Sequence, residues 1–227
     1  KKVLDLAWER EIGIKLCLWS FDMLRSNLIP TALNRNILLL TDTSYTNSYI
    51  KNALIPMVDS LKNHPAIIAW EIFNEPEGMS NEFGWSDIEH VPMSDIQRFI
   101  NLTSGAIHRT DTLAKVTNGC WSIQAMTDVA TTSLRKITEI EIEEFTNQIN
   151  AKYNFNLTSE NLFKQLQKIS LVQNYNYYSD ERLIAAGGDQ DGILDFYSVH
   201  YYDWAGTSLS PFHNVNSFWQ LDKPLVV

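Results

Sequence analysis

Apolar residues change their spacing repeatedly along the chain, and each change marks an element. Over residues 1–11, Val3, Leu4, Ala7, Trp8 and Glu11 recur three and four apart, the period of a helix. Gly13 stops that helix, and residues 14–19 read as a short strand. Residues 20–35 mix polar and aromatic side chains with Asp22 and Pro30 and predict a loop. A helix is predicted over 48–63, with Ile50, Leu54, Met57, Val58 and Leu61 on one face. A continuous apolar run, Ala66 to Trp70, then leads into Asn74, Glu75 and Pro76. It reads as a buried parallel strand that the proline ends, having no N–H for the ladder.

After a loop over 77–92 that carries Trp85 and several acids, Ser94-Asp95-Ile96-Gln97 has capping-box form. It predicts a helix buried through Phe99, Ile100, Ala106 and Ile107. Residues 115–121 read as a strand, as do 193–200, after a turn-rich Gly187 to Gly192, and 224–227. Between 133 and 172 the rhythm breaks. Ile137, Ile140, Phe145 and Ile149, then Leu162, Phe163, Leu166 and Ile169, predict an inserted helical hairpin joined through 153–158.

Five strands alternating with helices predict a parallel α/β fold. At 227 residues the chain is expected to form a single domain over 1–227. Both ends fall inside elements, which predicts the middle of a larger domain.

Composition narrows the partners. The net charge of -9 and a pI near 5.0 argue against nucleic acid or an anionic membrane. No apolar run is long enough to cross a bilayer. Seven Trp and nine Tyr offer flat faces suited to sugar rings, and they suit a core equally. Cys17 and Cys120 fall on strands with one strand between them, about 9.6 Å apart against a disulfide limit of roughly 7 Å. Two buried thiols are expected.

The chemistry gathers at strand ends, where Trp19, Asn74, Glu75, Trp121, His200, Tyr202 and Trp204 all fall. In a parallel α/β barrel those ends share the face that carries active sites. Glu71 and Glu75 lie four apart on one strand. Glu71 is expected deep and paired with a cation, while Glu75 sits at the mouth and meets substrate. A Gly-x-Ser-x-Gly elbow, a phosphate-binding glycine loop and a His-Glu-x-x-His motif are all absent. Asp189, Asp191 and Gly192 slightly resemble a calcium loop, but the later glutamate is missing and a solvated turn is expected. No metal and no cofactor are therefore expected. The sequons at Asn101 and Asn156 are no more than chance supplies, and His64, His90, His108 and His213 are expected in loops or at the surface.

The run from Asn63-His64-Pro65-Ala66-Ile67 to Trp70-Glu71-Ile72-Phe73-Asn74-Glu75-Pro76 resembles the fourth strand of clan A glycoside hydrolases, especially family 5. His200-Tyr201-Tyr202 is similar to the His-x-Tyr that ends that family's sixth strand, and Asp222 to Val227 resembles its seventh. The resemblance implies a (β/α)8 TIM barrel, incomplete here, whose strands three to seven are the five predicted. It implies a retaining β-glycosidase acting on a polysaccharide or oligosaccharide, β-mannan ahead of β-glucan. Glu75 would be the general acid/base, and Asn74 would bind the sugar 2-hydroxyl. His200 would line the bound sugar and Tyr202 would hold the nucleophile, while Trp19, Trp121 and Trp204 are expected to contact substrate from their place after predicted strands. The nucleophile itself is expected just beyond Val227. A secreted or periplasmic monomer is expected. Many relatives carry a histidine on strand three, where this chain has Leu18-Trp19-Ser20, a departure from the cellulase-like branch. A non-catalytic, carbohydrate-binding barrel and a complete open-sheet domain remain as alternatives.

Overall fold

The computed structural model describes residues 1–28, 30–123, 125–127, 139–162, 176–202 and 221–227. Five parallel strands, β1 (Ile14–Ser20), β2 (Ile67–Asn74), β3 (Val116–Cys120), β4 (Tyr197–Val199) and β5 (Leu225–Val226), pair in sequence order. The α/β reading and all five strand positions hold. Among the described residues the helices are α1 (Lys2–Trp8), α2 (Leu33–Thr41), α3 (Thr43–Tyr49), α4 (Ile55–Leu61), α5 (Met93–Thr110), α6 (Glu139–Tyr153) and α7 (Asp180–Gly187).

The main core lies between the sheet and these helices. Leu54 and Val58 from the α3–α4 side, Trp70, Ile72 and Phe73 from β2, and Ile96, Phe99, Ile100 and Ile107 from α5 are all essentially buried. Phe73 and Tyr49 both pack on the Phe99 ring, at 5.2 and 5.9 Å. The row predicted for α5 therefore faces the sheet.

Several local readings change. The stretch expected as a loop over 20–35 contains a 3-10 turn, Phe21–Leu24, and the start of α2. The helix predicted over 48–63 is continuous from α3 to α4 but passes through a π turn, Ile50–Leu54. Pro56 supplies a physical reason: its ring would crowd the carbonyl of Asn52 in a regular α-helix, and a wider turn relieves that contact. The capping box is not formed. Pro92 is the N-cap of α5, and the Met93 amide donates instead to Glu82 Oε2 at 2.9 Å. The Glu82 carboxylate does for the helix start what Ser94 was expected to do.

Of the hairpin expected over 133–172, α6 is present. Ile142 and Thr146 are buried on it, Ile149 is half-buried and Phe145 is exposed, so its inward row is offset from the one expected. The Asn150 side chain exchanges two 2.9 Å bonds with the backbone of Leu157 and closes the turn that follows. Most of the second predicted helix lies outside the described residues.

The Asn101 sequon is closed in the folded chain. Its side chain is fully buried, donating to the carbonyls of Asp189 and Gly192 and accepting from the Asp189 amide. Asp189 also meets Arg109 at 2.7 Å, so the calcium-like loop is a turn clamped onto α5. Among the described residues no cluster of His, Cys, Asp or Glu could hold a metal ion. Among them, too, no helix is long and apolar enough to cross a membrane.

β4 is shorter than predicted, and Asp195, ahead of it, is engaged across the sheet. It accepts from His108 Nε2 at 3.0 Å, from Lys115 Nζ at 2.8 Å and from the Val116 amide at 2.8 Å. His108, expected in a loop or at the surface, is thus tied into the fold. Burial alone would raise Asp195, but these donors outweigh it and hold the carboxyl well below its usual range. Burial opposes charge on His108, but its bonds to Asp195 and to the Asp191 carbonyl raise it. Asp195 stabilises the fold above its unfolded pKa of about 3.9 and loses that effect as pH falls through its lower folded value. His108 contributes below about 6.5 and loses its contribution as pH rises through its higher folded value. Asp195→Asn in the whole protein that carries this chain is expected to cost about 1.5–3 kcal/mol in urea unfolding near pH 5. The difference from wild type should shrink at pH 8. A gap that does not change with pH would remove His108 from this account.

Candidate active site

At the upper end of β2 the ladder slips between Glu71 and Asn74. Asn118 Oδ1 accepts the Phe73 amide at 3.2 Å, and Gly119 O accepts the Glu75 amide at 2.6 Å. Half-buried Asn74 closes the strand opposite Ser20 and Gly119. Glu75 then turns left-handed, φ 53 and ψ 51, and caps the 3-10 turn Pro76–Met79. A residue before proline is ordinarily held extended, so this backbone is strained by about 1–3 kcal/mol. The sharp turn ends β2 and leaves the carboxyl at its mouth.

Glu75 is only 7% exposed. His200 Nδ1 lies 2.5 Å from its Oε1, and Tyr202 Oη donates to the same oxygen at 2.8 Å. Both come from the end of β4, whose ladder is prolonged by the His200 amide donating to Cys120 O at 2.8 Å. The bond to Glu75 raises His200 against the opposing effect of burial. Burial first, and then the bond to Glu75, raise the Tyr202 phenol. The structure thus joins three of the predicted site residues on one oxygen.

A fourth stands beside them. The Trp121 ring lies 6.4 Å from Tyr202, 5.5 Å from Phe83 and 6.2 Å from Trp85, which meets Phe21 edge-on at 4.5 Å. These rings make an aromatic row that begins at Glu75's own partner. Gly78 permits it, because a Cβ there would lie 2.7 Å from the Trp85 ring. Trp19 is placed differently: it meets Tyr49 edge-on at 5.4 Å, which ties it to the core. Trp204 lies outside the described residues.

Glu71 behaves as expected of the deeper acid, forming an ion pair with Lys15. Lys15 Nζ also donates to Ser198 Oγ at 3.1 Å, which links β1, β2 and β4. Both cysteines are free, but only Cys120 is buried. Cys17 is exposed because β1 has a neighbouring strand on one side only among the described strands. Its sulfur still sits close to Glu71: desolvation and then that negative charge push the thiol up to about 12.

One acid is not legible in the sequence. Glu77, read there as part of an open loop, is fully buried and accepts from Tyr178 Oη at 2.6 Å and from the Trp121 amide at 3.0 Å. Burial raises its carboxyl, and those two donors oppose the rise without cancelling it. Its neighbours Pro76 and Gly78 are loop-formers in sequence although buried in the fold, and nothing local points to Tyr178.

No protein-family model matches the chain. Among individual proteins it is similar to a mannan endo-1,4-beta-mannosidase of Mytilus edulis, 32% identical over 208 residues, which cover 83% of this chain and 45% of that protein. It is 31% identical over 214 residues to the corresponding protein of Cryptopygus antarcticus, covering 83% of this chain and 44% of the relative. Its structure superposes on the beta-1,4-mannanase of the sea hare Aplysia kurodai with a TM-score of 0.69 and 28% identity, over all of this chain and 57% of the other. The chain spans about half the length of the relatives it matches. Five parallel strands in sequential order, a partial TIM barrel like those mannanase structures, and this sequence identity make the chain a partial homologue of the endo-1,4-β-mannanases, in family 5 of the clan A glycoside hydrolases.

Proposed function

We propose that the protein carrying this chain is a retaining endo-β-1,4-mannanase in which Glu75 is the general acid/base. The observation that carries this is Glu75 itself: a buried carboxyl beyond a strand end, with two donors on one oxygen and an aromatic row beside it. With Oε1 occupied by His200 and Tyr202, Oε2 is the oxygen that serves substrate.

In the first step Glu75 gives its proton to the glycosidic oxygen while a second carboxylate attacks the anomeric carbon. The carbon–oxygen bond to the leaving sugar breaks, and a glycosyl ester forms. In the second step Glu75 takes a proton from water as the water oxygen displaces that ester, so the anomeric configuration is kept. Retention needs the second carboxylate about 5–5.5 Å from Glu75. We assign it to residues encoded just after Val227. Asn74 binds the sugar 2-hydroxyl, and Trp121 supplies the stacking face. A polymer cannot cross a membrane, so we place the enzyme outside the cell, acting as a monomer.

The test is hydrolysis of mannan, glucomannan, cellulose and xylan by the whole protein, with product lengths recorded. Mannan should be cut fastest, into oligosaccharides that first appear as the β-anomer. Binding of mannan with no cleavage of any polymer would favour a non-catalytic barrel and overturn the enzyme reading.

A further inference from the structure

We propose that Glu77 is a positioning residue for substrate binding: its buried carboxylate fixes the Trp121 ring where a mannan chain lies against it. This rests on the reading of Trp121 as a sugar-contacting ring.

First, Glu77 has no solvent exposure, yet it carries a group that is costly to bury without partners. Its partners are specific. Oε2 accepts the backbone amide of Trp121, the first residue after β3, and Oε1 accepts the phenol of Tyr178, itself fully buried. No apolar side chain could take up both donors.

Second, the other end of this connection is anchored. Asn176 Oδ1 accepts the Tyr178 amide at 2.9 Å, and Gln97 Nε2 donates to Tyr177 O at 2.6 Å. The bonds therefore run from α5 through the 176–178 segment and Glu77 to the backbone that carries the Trp121 ring.

Third, that ring stands between Trp85 and Tyr202 in the aromatic row, and Tyr202 donates to Glu75. The two Glu77 oxygens are turned to Trp121 and Tyr178, whereas His200 and Tyr202 are turned to Glu75. Glu77 should govern where the sugar chain lies and leave the proton transfer alone.

The test uses the whole protein and a six-sugar β-1,4-mannooligosaccharide. Glu77→Gln keeps the shape but turns an amide N–H2 toward one of the two donors, so one bond is lost. KM should rise about 10-fold and kcat change less than about 3-fold, with the pH profile of kcat unmoved. Tyr178→Phe, which removes one donor only, should raise KM about 3-fold. It carries the test if Glu77→Gln fails to fold.

In a Trp121→Ala background, Glu77→Gln should add almost nothing to KM, because its route to substrate is gone. Equal falls in kcat in both backgrounds would mean that Glu77 only supports the fold, and would overturn the proposal. Labelling with 5-fluorotryptophan separates this idea from the function it rests on. The 19F resonance assigned by Trp121→Phe should shift in Glu77→Gln without any sugar present. If the protein cleaves no polysaccharide, the proposed function fails while this shift still tests Glu77. An unmoved resonance sinks the positioning role.

Discussion

Glu75→Gln in the whole protein is expected to lower hydrolysis of β-mannan by about 10²- to 10⁴-fold, the usual worth of a positioned general acid. The fold should survive the change. Gln has the same length, and its carbonyl oxygen can still accept from His200 and Tyr202, which both bond Oε1 in the parent. What disappears is the proton that the leaving sugar needs. A mannoside with a good leaving group, such as a dinitrophenolate, needs little protonation, so its first step should be largely spared. Equal loss on both substrates would mean that Glu75 holds structure rather than a proton, and full activity on mannan would reject it outright.

The same variant has a pH signature. His200 is raised chiefly by its bond to Glu75, against burial. A neutral Gln leaves His200 only an uncharged acceptor and a weaker bond, so an NMR titration of His200 should move to lower pH. In the parent, the His200–Glu75 bond stabilises the fold below about pH 6.5 and is lost as pH rises through the raised folded value. Thermal melts of parent and variant should therefore differ more at pH 6 than at pH 9.

Glu75 is readable in the sequence because its signal is local. An apolar run with no alternation can only be a buried strand or helix segment, and Asn74-Glu75-Pro76 ends it at once. His200 and Tyr202 are readable for the same reason, since each follows a strand. The partners they choose are not. Tyr202 reads as a holder of the nucleophile and is found on Glu75 itself, 127 residues away in sequence. Glu77 escapes notice because its neighbours are loop-formers, and its burial depends on Tyr178 and on the turn of Trp121 after β3. Cys17 misleads in the opposite direction: a strand cysteine reads as buried, while β1 is an edge of the described sheet. Period and punctuation locate elements, whereas burial and pairing across the sheet depend on which elements meet.

The second large effect is expected below the active site, at Lys15. Its ammonium pairs with Glu71, whose side chain is 5% exposed, while that of Lys15 is 32% exposed. Lys15→Met leaves the Glu71 carboxylate in an almost dry site without its cation. Breaking a buried pair in this way costs about 3–5 kcal/mol, and the water that already reaches Lys15 argues for the lower end. Urea unfolding of the whole protein near pH 7 should report about 3 kcal/mol, and a loss below about 0.5 kcal/mol would show the pair to be incidental. The double variant Lys15→Met, Glu71→Leu should recover most of the loss, because an apolar pair of similar volume needs no desolvation. Activity should not recover with stability. A Cβ on Gly119 would lie 2.9 Å from the Glu71 carboxyl carbon, so that carboxyl packs directly on the residue whose carbonyl holds the Glu75 amide. A branched leucine side chain in place of Glu71 would press on Gly119 and shift Glu75, roughly 13 Å further along the chain at about 3.3 Å per residue. A stable double variant with reduced kcat would then show that the Glu71 carboxyl, through its packing on Gly119, serves the geometry of the acid above it as well as the stability of the sheet.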